Sequence, residues 1–194
     1  MSNVHHARLV ARHRLTDAIH DFRFALEDEP PLRFRPGQFL SLRVGVDAAG
    51  DPILRSYSIA SAPGKEQLSL VVRIIPGGVA SAMLDQLPIG ERVRFTGPMG
   101  FFVLDLAHTG DVVFGATGTG IAPVLPMIDE LLARQERGAI HVLWGNRHAG
   151  DLFWAEELAA LAARSPRLSI RRFVSQPQDG DGWSGERGRV SAPL

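Results

Sequence analysis

The chain contains no cysteine. That absence excludes disulfides, thiolate nucleophiles, cysteine zinc sites and an iron-sulfur cluster housed in this chain, so any such cluster belongs to a partner. A charge excess is missing too: 21 basic residues balance 21 acidic ones. No overall field therefore favours nucleic acid or a membrane surface. No apolar run approaches the ~20 residues of a membrane span, and the N-terminal MSNVHHARLVARHRL lacks an apolar signal core. A soluble, cytoplasmic protein is expected. The four early histidines, His5, His6, His13 and His20, share no ligand spacing, so no metal site is expected. No Ser, His, Asp arrangement stands in a nucleophile-elbow context, which leaves hydrolase chemistry unsupported.

What is present suits small-molecule chemistry in a globular chain. With 194 residues and 45% hydrophobic content there is room for one ordinary domain or two small ones. From Val4 to about Phe102 the sequence alternates on a period of two, in runs such as FRFAL, FLSLRV, YSIAS, LSLVVRII and RVRFTG, each bounded by Pro, Gly or Asp. This predicts an antiparallel six-stranded β-barrel over residues 1–103, with one helix over 81–87. Beyond residue 109, apolar runs alternate with helical stretches: DVVFGATG, IAPVLPMIDELLARQERG, AIHVLWGN, DLFWAEELAALAARS and LSIRRFVSQ. Alternating β and α implies a parallel sheet with right-handed crossovers over residues 109–194. Asp151 reads as a helix N-cap, and Pro166 lies beyond that helix's end. The polar QPQDGDGWSGERG is expected to be mobile, and the short join at 104–110 predicts a cleft between the halves. Trp144, Phe153 and Trp154 read as core packing rather than a surface for stacking bases.

Four stretches carry candidate chemistry. GATGTGIAP, residues 115–123, follows an apolar run, but Ile121 and Ala122 stand where a P-loop needs lysine and a hydroxyl. Pro123 replaces the third glycine of the dinucleotide fingerprint, and Gly145, Asn146 and Arg147 supply no carboxylate for a ribose. The turn is thus either an anion cradle at a helix N-terminus or a plain strand-to-helix connection. Arg55, Ser56, Tyr57 and Ser58 offer a bidentate cation, hydroxyls and one aromatic face. They suit a phosphate beside a flat heterocycle, or else form an exposed barrel rim. Gly77, Gly78, Val79, Ala80 and Ser81 open the short helix, either as a second anion site or as an ordinary helix start. Pro98 and Gly100 make a stiff turn.

In this order the stretches resemble the ferredoxin-NADP reductase superfamily: PGQF at 36–39, RSYS at 55–58, GVAS at 78–81, GPMGFF at 97–102, GTGIAP at 118–123 and GNR at 145–147. The resemblance implies a flavin-binding barrel followed by a nicotinamide-nucleotide domain. Arg55 would bind flavin phosphate, Tyr57 would stack on the isoalloxazine, and Ser58 would lie near its N5 as the orienting, catalytic residue. Val72 and Arg73 would offer backbone contacts, and Gly78, Val79, Ala80 and Ser81 would cradle a diphosphate, which implies FAD. Thr117, Gly118, Thr119 and Gly120 would lie against NADH or NADPH, with Gly145, Asn146 and Arg147 towards its phosphate or ribose. Hydride would pass from nicotinamide C4 to flavin N5, and electrons would go on to a separate acceptor protein such as a ferredoxin or an oxygenase component.

Two departures from the family pattern stand out. Ser175-Gln176 occupies the place of a Ser-Arg whose arginine pairs with a 2′-phosphate, and glutamine lacks that charge. NADH is therefore expected, with Arg171 and Arg172 nearby. The pattern also continues past Gly188-Arg189-Val190 through further strands, whereas this chain stops at Leu194. The nucleotide half is thus expected to be shortened, with Val112 to Phe114 forming an unpaired apolar edge: either the sequence is a fragment, or a second chain covers the edge, or the half is only partly competent. The alternative function is a flavin-binding or partner-binding module with a non-catalytic nucleotide half.

Overall fold

The structure, a computed structural model, describes residues 4–27, 32–134 and 138–191. Six strands, β1 (Val4–Arg14), β2 (Ile19–Leu26), β3 (Phe39–Val46), β4 (Pro52–Ser58), β5 (Gln67–Arg73) and β6 (Arg92–Met99), form one antiparallel sheet in the order β4-β3-β6-β1-β2-β5. An antiparallel bridge between Ile59 and Leu70 joins the two ends, so the sheet closes into the expected barrel. The period of two explains the interior. On β6, Val93 and Phe95 are buried while Arg92 and Arg94 are exposed, and Phe22, Phe24, Leu40, Leu42, Leu68 and Leu70 fill the same core. Helix α1 (Val79–Gln86) lies between β5 and β6, beginning two residues before the expected helix.

The second half contains β7 (Val112–Thr117), α2 (Val124–Ala133), β8 (Ile140–Asn146), α3 (Ala155–Ala163), β9 (Leu168–Val174) and β10 (Glu186–Arg187). Its four strands are parallel in the order β10-β9-β8-β7. The inner strand β8 is almost continuously buried, as its apolar run requires. Strand β7 pairs only with β8 among the described residues, leaving Val113 57% exposed on the free edge. Trp144 and Trp154 are buried, each edge-on to Phe153, as core packing requires. The expected continuation of α2 into residues 135–137 lies outside the described residues.

Three local expectations differ from the structure. The glycine stretch after β7 does not open α2: Gly118–Ile121 forms a separate 3-10 turn, and α2 starts at Val124 behind Pro123. Asp151 does not cap α3, whose first turn instead carries Glu156 and Glu157 towards the positive dipole end. The QPQDGDGWSGERG segment is ordered by local bonds: the Asp181 carboxylate accepts from Gln178 N and Trp183 N, both at 2.8 Å, and the Trp183 indole donates to Glu186 O at 3.1 Å. Polarity and glycine content suggested mobility there, but turn bonds and one half-buried aromatic outweigh them.

The halves share a core. Ile19, Ala60 and Val71 from the barrel belong to the same buried cluster as Ile121, Val124, Met127 and Ile128. Gly37, of PGQF, sits at this seam with φ +96; a Cβ there would lie 1.9 Å from Phe102 O and 2.1 Å from Met127 Cε. Both the left-handed backbone and the contact with a carbonyl demand glycine. Gly37→Ala is expected to cost roughly 2–3 kcal/mol and lower Tm by roughly 5–10 °C. Unchanged thermal unfolding would contradict this close approach.

Candidate functional site

Several cavities lie between the halves, and two of them adjoin at the 117–120 turn. The smaller, about 470 Å³, is lined by Arg55, Ser56, Tyr57 and Ser58 of β4, by Val72 and Arg73 of β5, by Gly78, Val79, Ala80 and Ser81 at the start of α1, and by Thr119 and Gly120. Pairing explains how these meet. Phe39 lies opposite Ser58 and Leu40 opposite Tyr57, so the PGQF loop sets the height of β4. Ser81 Oγ accepts from Ile75 N at 2.8 Å, tying the start of α1 to the end of β5. Arg55 is exposed and donates to the carbonyl of its own neighbour Leu54 at 2.8 Å. Burial pushes the Tyr57 hydroxyl above its usual value against the opposing pull of Arg55, so it stays protonated near neutrality. No carboxylate lines this cavity, whereas two arginines do.

The larger cavity, about 750 Å³, is lined by Thr117 and Gly118 after β7, by Gly145, Asn146 and Arg147 at the end of β8, and by Ser175 after β9. Backbone pairing continues past the strand ends, Ser175 N to Asn146 O at 3.0 Å and Gln176 N to Arg147 O at 2.8 Å. Gln176 is held beside the cavity by that bond but does not line it. Asn146 is 8% exposed, and its buried Nδ2 has no hydrogen-bond partner, which leaves a donor free for an acceptor in the cavity. The buried Trp144 indole donates to Gly118 O at 3.0 Å, holding the 3-10 turn in place. A Cβ on Gly145 would come within 2.6 Å of Val190 Cγ2, so only glycine lets the 188–191 segment close this wall.

Sequence reasoning missed several lining residues. His148 follows directly on GNR, Asp151 stands shortly after it, and Gly188, Arg189, Val190 and Ser191 complete the larger cavity. Gly188-Arg189-Val190 was legible only as part of a pattern, without a place. Arg73 lines both cavities, and its guanidinium reaches Asp151 at 3.2 Å across the cleft. The four residues Thr117 to Gly120 are divided between the cavities, two to each.

A closed antiparallel barrel and a parallel α/β half thus flank two arginine-lined cavities that adjoin at one turn. The family model described as Oxidoreductase FAD-binding domain matches residues 6–104, and that described as Oxidoreductase NAD-binding domain matches residues 114–194. Ferredoxin-NADP reductase B of Sorangium cellulosum is 35% identical over 187 residues, 96% of this chain and 75% of that protein. The ferredoxin-NAD(P)+ reductase component of a Ralstonia naphthalene 1,2-dioxygenase/salicylate 5-hydroxylase system is 33% identical over 183 residues, 92% of this chain but 54% of that protein. The crystal structure of the Amycolatopsis cytochrome P450 reductase GcoB superposes with TM-score 0.84 at 29% identity, covering 97% of this chain and 56% of that one. This chain belongs to the ferredoxin-NADP reductase superfamily and carries its FAD-binding and NAD-binding domains. It spans about half the length of the second and third of these proteins. The donor sets fit the two groups: the smaller cavity presents arginine, hydroxyls and an aromatic ring with no acid, and the larger one an unpartnered buried amide.

The 188–191 wall hangs on β10, which is pinned by charge. Arg171 Nε and Nη2 donate to Glu186 at 2.8 and 2.5 Å. The Arg171 guanidinium holds Glu186 below the usual carboxylate range, and the Trp183 and Gln178 N–H groups do the same for Asp181. A lowered carboxyl stabilises the fold above its unfolded value, and that contribution is lost as pH falls through the folded value. Acidification below the usual carboxylate range is therefore expected to undock β10 and change Trp183 emission, with Trp183→Phe isolating the signal. Glu186→Gln should shrink the acid transition, and identical traces for the two proteins would refute the coupling.

Proposed function

We propose that this chain is a reductase that binds FAD in the smaller cavity and NADH in the larger, and delivers electrons to a separate acceptor protein. The carrying observation is that Arg73 and the Thr117–Gly120 turn contribute to both cavities, so ligands in them would adjoin. Residues 1–103 form the flavin-binding half and 109–194 the nucleotide-binding half. Arg55 would pair with flavin phosphate, Tyr57 would cover one face of the ring, and Ser56 and Ser58 would hydrogen-bond its edge. Backbone of Val72 and Arg73 would line the ring, and the N–H groups of Val79, Ala80 and Ser81 behind Gly78 would take the diphosphate. Thr117, Gly118, Gly145, Asn146, Arg147 and Ser175 would hold the nicotinamide nucleotide, with Thr119 and Gly120 forming the partition. Bound flavin supplies acceptance of a hydride from reduced nicotinamide and stepwise release of its electrons. The protein's part is to bind and align the two rings and to keep water out between them.

The fate of the nearby arginines supports NADH. Arg171 is paired with Glu186 and Arg172 lies over the Trp183 ring at 5.9 Å, and Gln176 brings no charge; the guanidiniums that line the larger cavity are those of Arg73, Arg147 and Arg189. The acceptor is inferred from the relatives, one a ferredoxin-NADP reductase and one a reductase component of a dioxygenase system. These 194 residues include no cysteine to hold an iron-sulfur cluster. The outer edge of β7, unpaired among the described residues, favours a second reading, a flavin-holding or partner-binding module whose nucleotide half does not turn over.

Anaerobic titration separates the two readings. Protein reconstituted with FAD should lose its visible flavin absorption on addition of NADH, more readily than with NADPH at low concentration. Persistent colour with both nucleotides would leave the binding-module reading, and protein that takes up no flavin would sink both. Gln176→Arg should raise the NADPH to NADH preference roughly ten-fold, because it restores a guanidinium for the 2′-phosphate; an unchanged ratio would place the discriminating group elsewhere.

A further inference from the structure

Helix α1 is short and carries no side-chain cap of its own; at its C-terminal end the Leu87 N–H reaches back to Leu84 O at 3.4 Å. Gly78 at its N-cap makes no side-chain bond, its first turn holds no acid, and its last turn holds no base. The last carbonyls of a helix need partners from outside, and the negative end of its dipole favours a cation. Strand β1 supplies both through one side chain. Arg12 Nη1 donates to Asp85 O at 2.8 Å, and Nη2 donates to Leu84 O at 2.9 Å and to Leu87 O at 2.7 Å. Its guanidinium also lies 5.4 Å from the centre of the Phe22 ring, and Phe22 is fully buried opposite Arg12 in the β1-β2 register. The fork is thus fixed on the barrel wall at one end and closes three carbonyls at the other.

We propose that Arg12 is a positioning residue for the diphosphate of FAD, an inference that rests on the FAD reading above. By holding the carbonyl end of α1 against β1, it aims the opposite end, where Val79, Ala80 and Ser81 line the smaller cavity. An eight-residue helix is about 12 Å long, so Arg12 acts through α1 without touching the flavin. Its charge also offsets the negative helix end, leaving the N–H end a better anion receptor. FMN, whose single phosphate would be met by Arg55, depends less on that receptor than FAD, whose diphosphate reaches both.

The test is the ratio of FAD to FMN affinity, measured by flavin fluorescence quenching on the full-length apoprotein. Arg12→Gln should weaken FAD roughly ten-fold while FMN changes less than about two-fold. Arg12→Lys, a point charge without the planar fork, should fall between the two proteins. Equal weakening of both flavins would make Arg12 a general support of the barrel and overturn the proposal, as would unchanged affinity for both. Should Arg12→Gln fail to fold, Arg12→Lys with a wild-type circular dichroism spectrum decides alone, and an unaltered ratio refutes the proposal. Wild-type protein that binds FMN but not FAD removes the FAD reading and this inference with it, whereas a defect confined to the variants bears on Arg12 only.

Discussion

Two cavities can share a wall only if barrel and sheet are held in one relation, and the buried seam between them supplies that constraint. Ile19, Ala60 and Val71 present apolar surface on the outside of the barrel, where a solvated strand would carry polar groups, and α2 covers it with Val124, Met127 and Ile128. Burial of this kind is non-directional: it brings the halves together without choosing their angle. The choice falls to close approaches. Gly37 against Phe102 O and Met127 Cε admits one arrangement of loop and helix, because close-packed interiors do not deform continuously.

The polar groups in the cleft take their meaning from that seam. Arg73 faces Asp151 only because β5 and the turn after β8 are brought side by side. The 3-10 turn after β7 stands at the same junction, and its carbonyl is fixed by the indole of the fully buried Trp144. A turn anchored from the core can present backbone to two cavities without ordering itself on binding, which lowers the entropic cost of holding ligands. The smaller cavity excludes carboxylates altogether, and the one acid lining the larger cavity is already paired with Arg73.

The halves differ in how they finish their sheets. The barrel closes on itself through the bridge between Ile59 and Leu70. The parallel sheet is bounded on one side by the two residues of β10 and on the other by β7, whose outer ladder is unpaired among the described residues. Local order in such a sheet falls towards its edges. The short β10 compensates with the Arg171 to Glu186 pair and the Trp183 anchor, and through Val190 against Gly145 it brings the 188–191 segment onto the cavity.

Much of this was legible in the residues alone. Period-two runs and their Pro, Gly and Asp boundaries determined six strands and a barrel, and alternating apolar and amphipathic stretches determined a parallel sheet, because these patterns record which face of the local backbone is buried. The ordered motifs also named many wall residues of both cavities, but not His148, Asp151 or the 188–191 segment of the larger one, and Gln176 stands outside. Tertiary structure decided the rest: that Thr117 to Gly120 would be split between two cavities, that Asp151 would pair with Arg73 instead of capping α3, and that Arg12 would close the end of α1. Each of these joins groups from separate elements, in the last two cases more than seventy residues apart. Such partners are chosen when packing closes the chain on itself, and local periodicity holds no record of that choice.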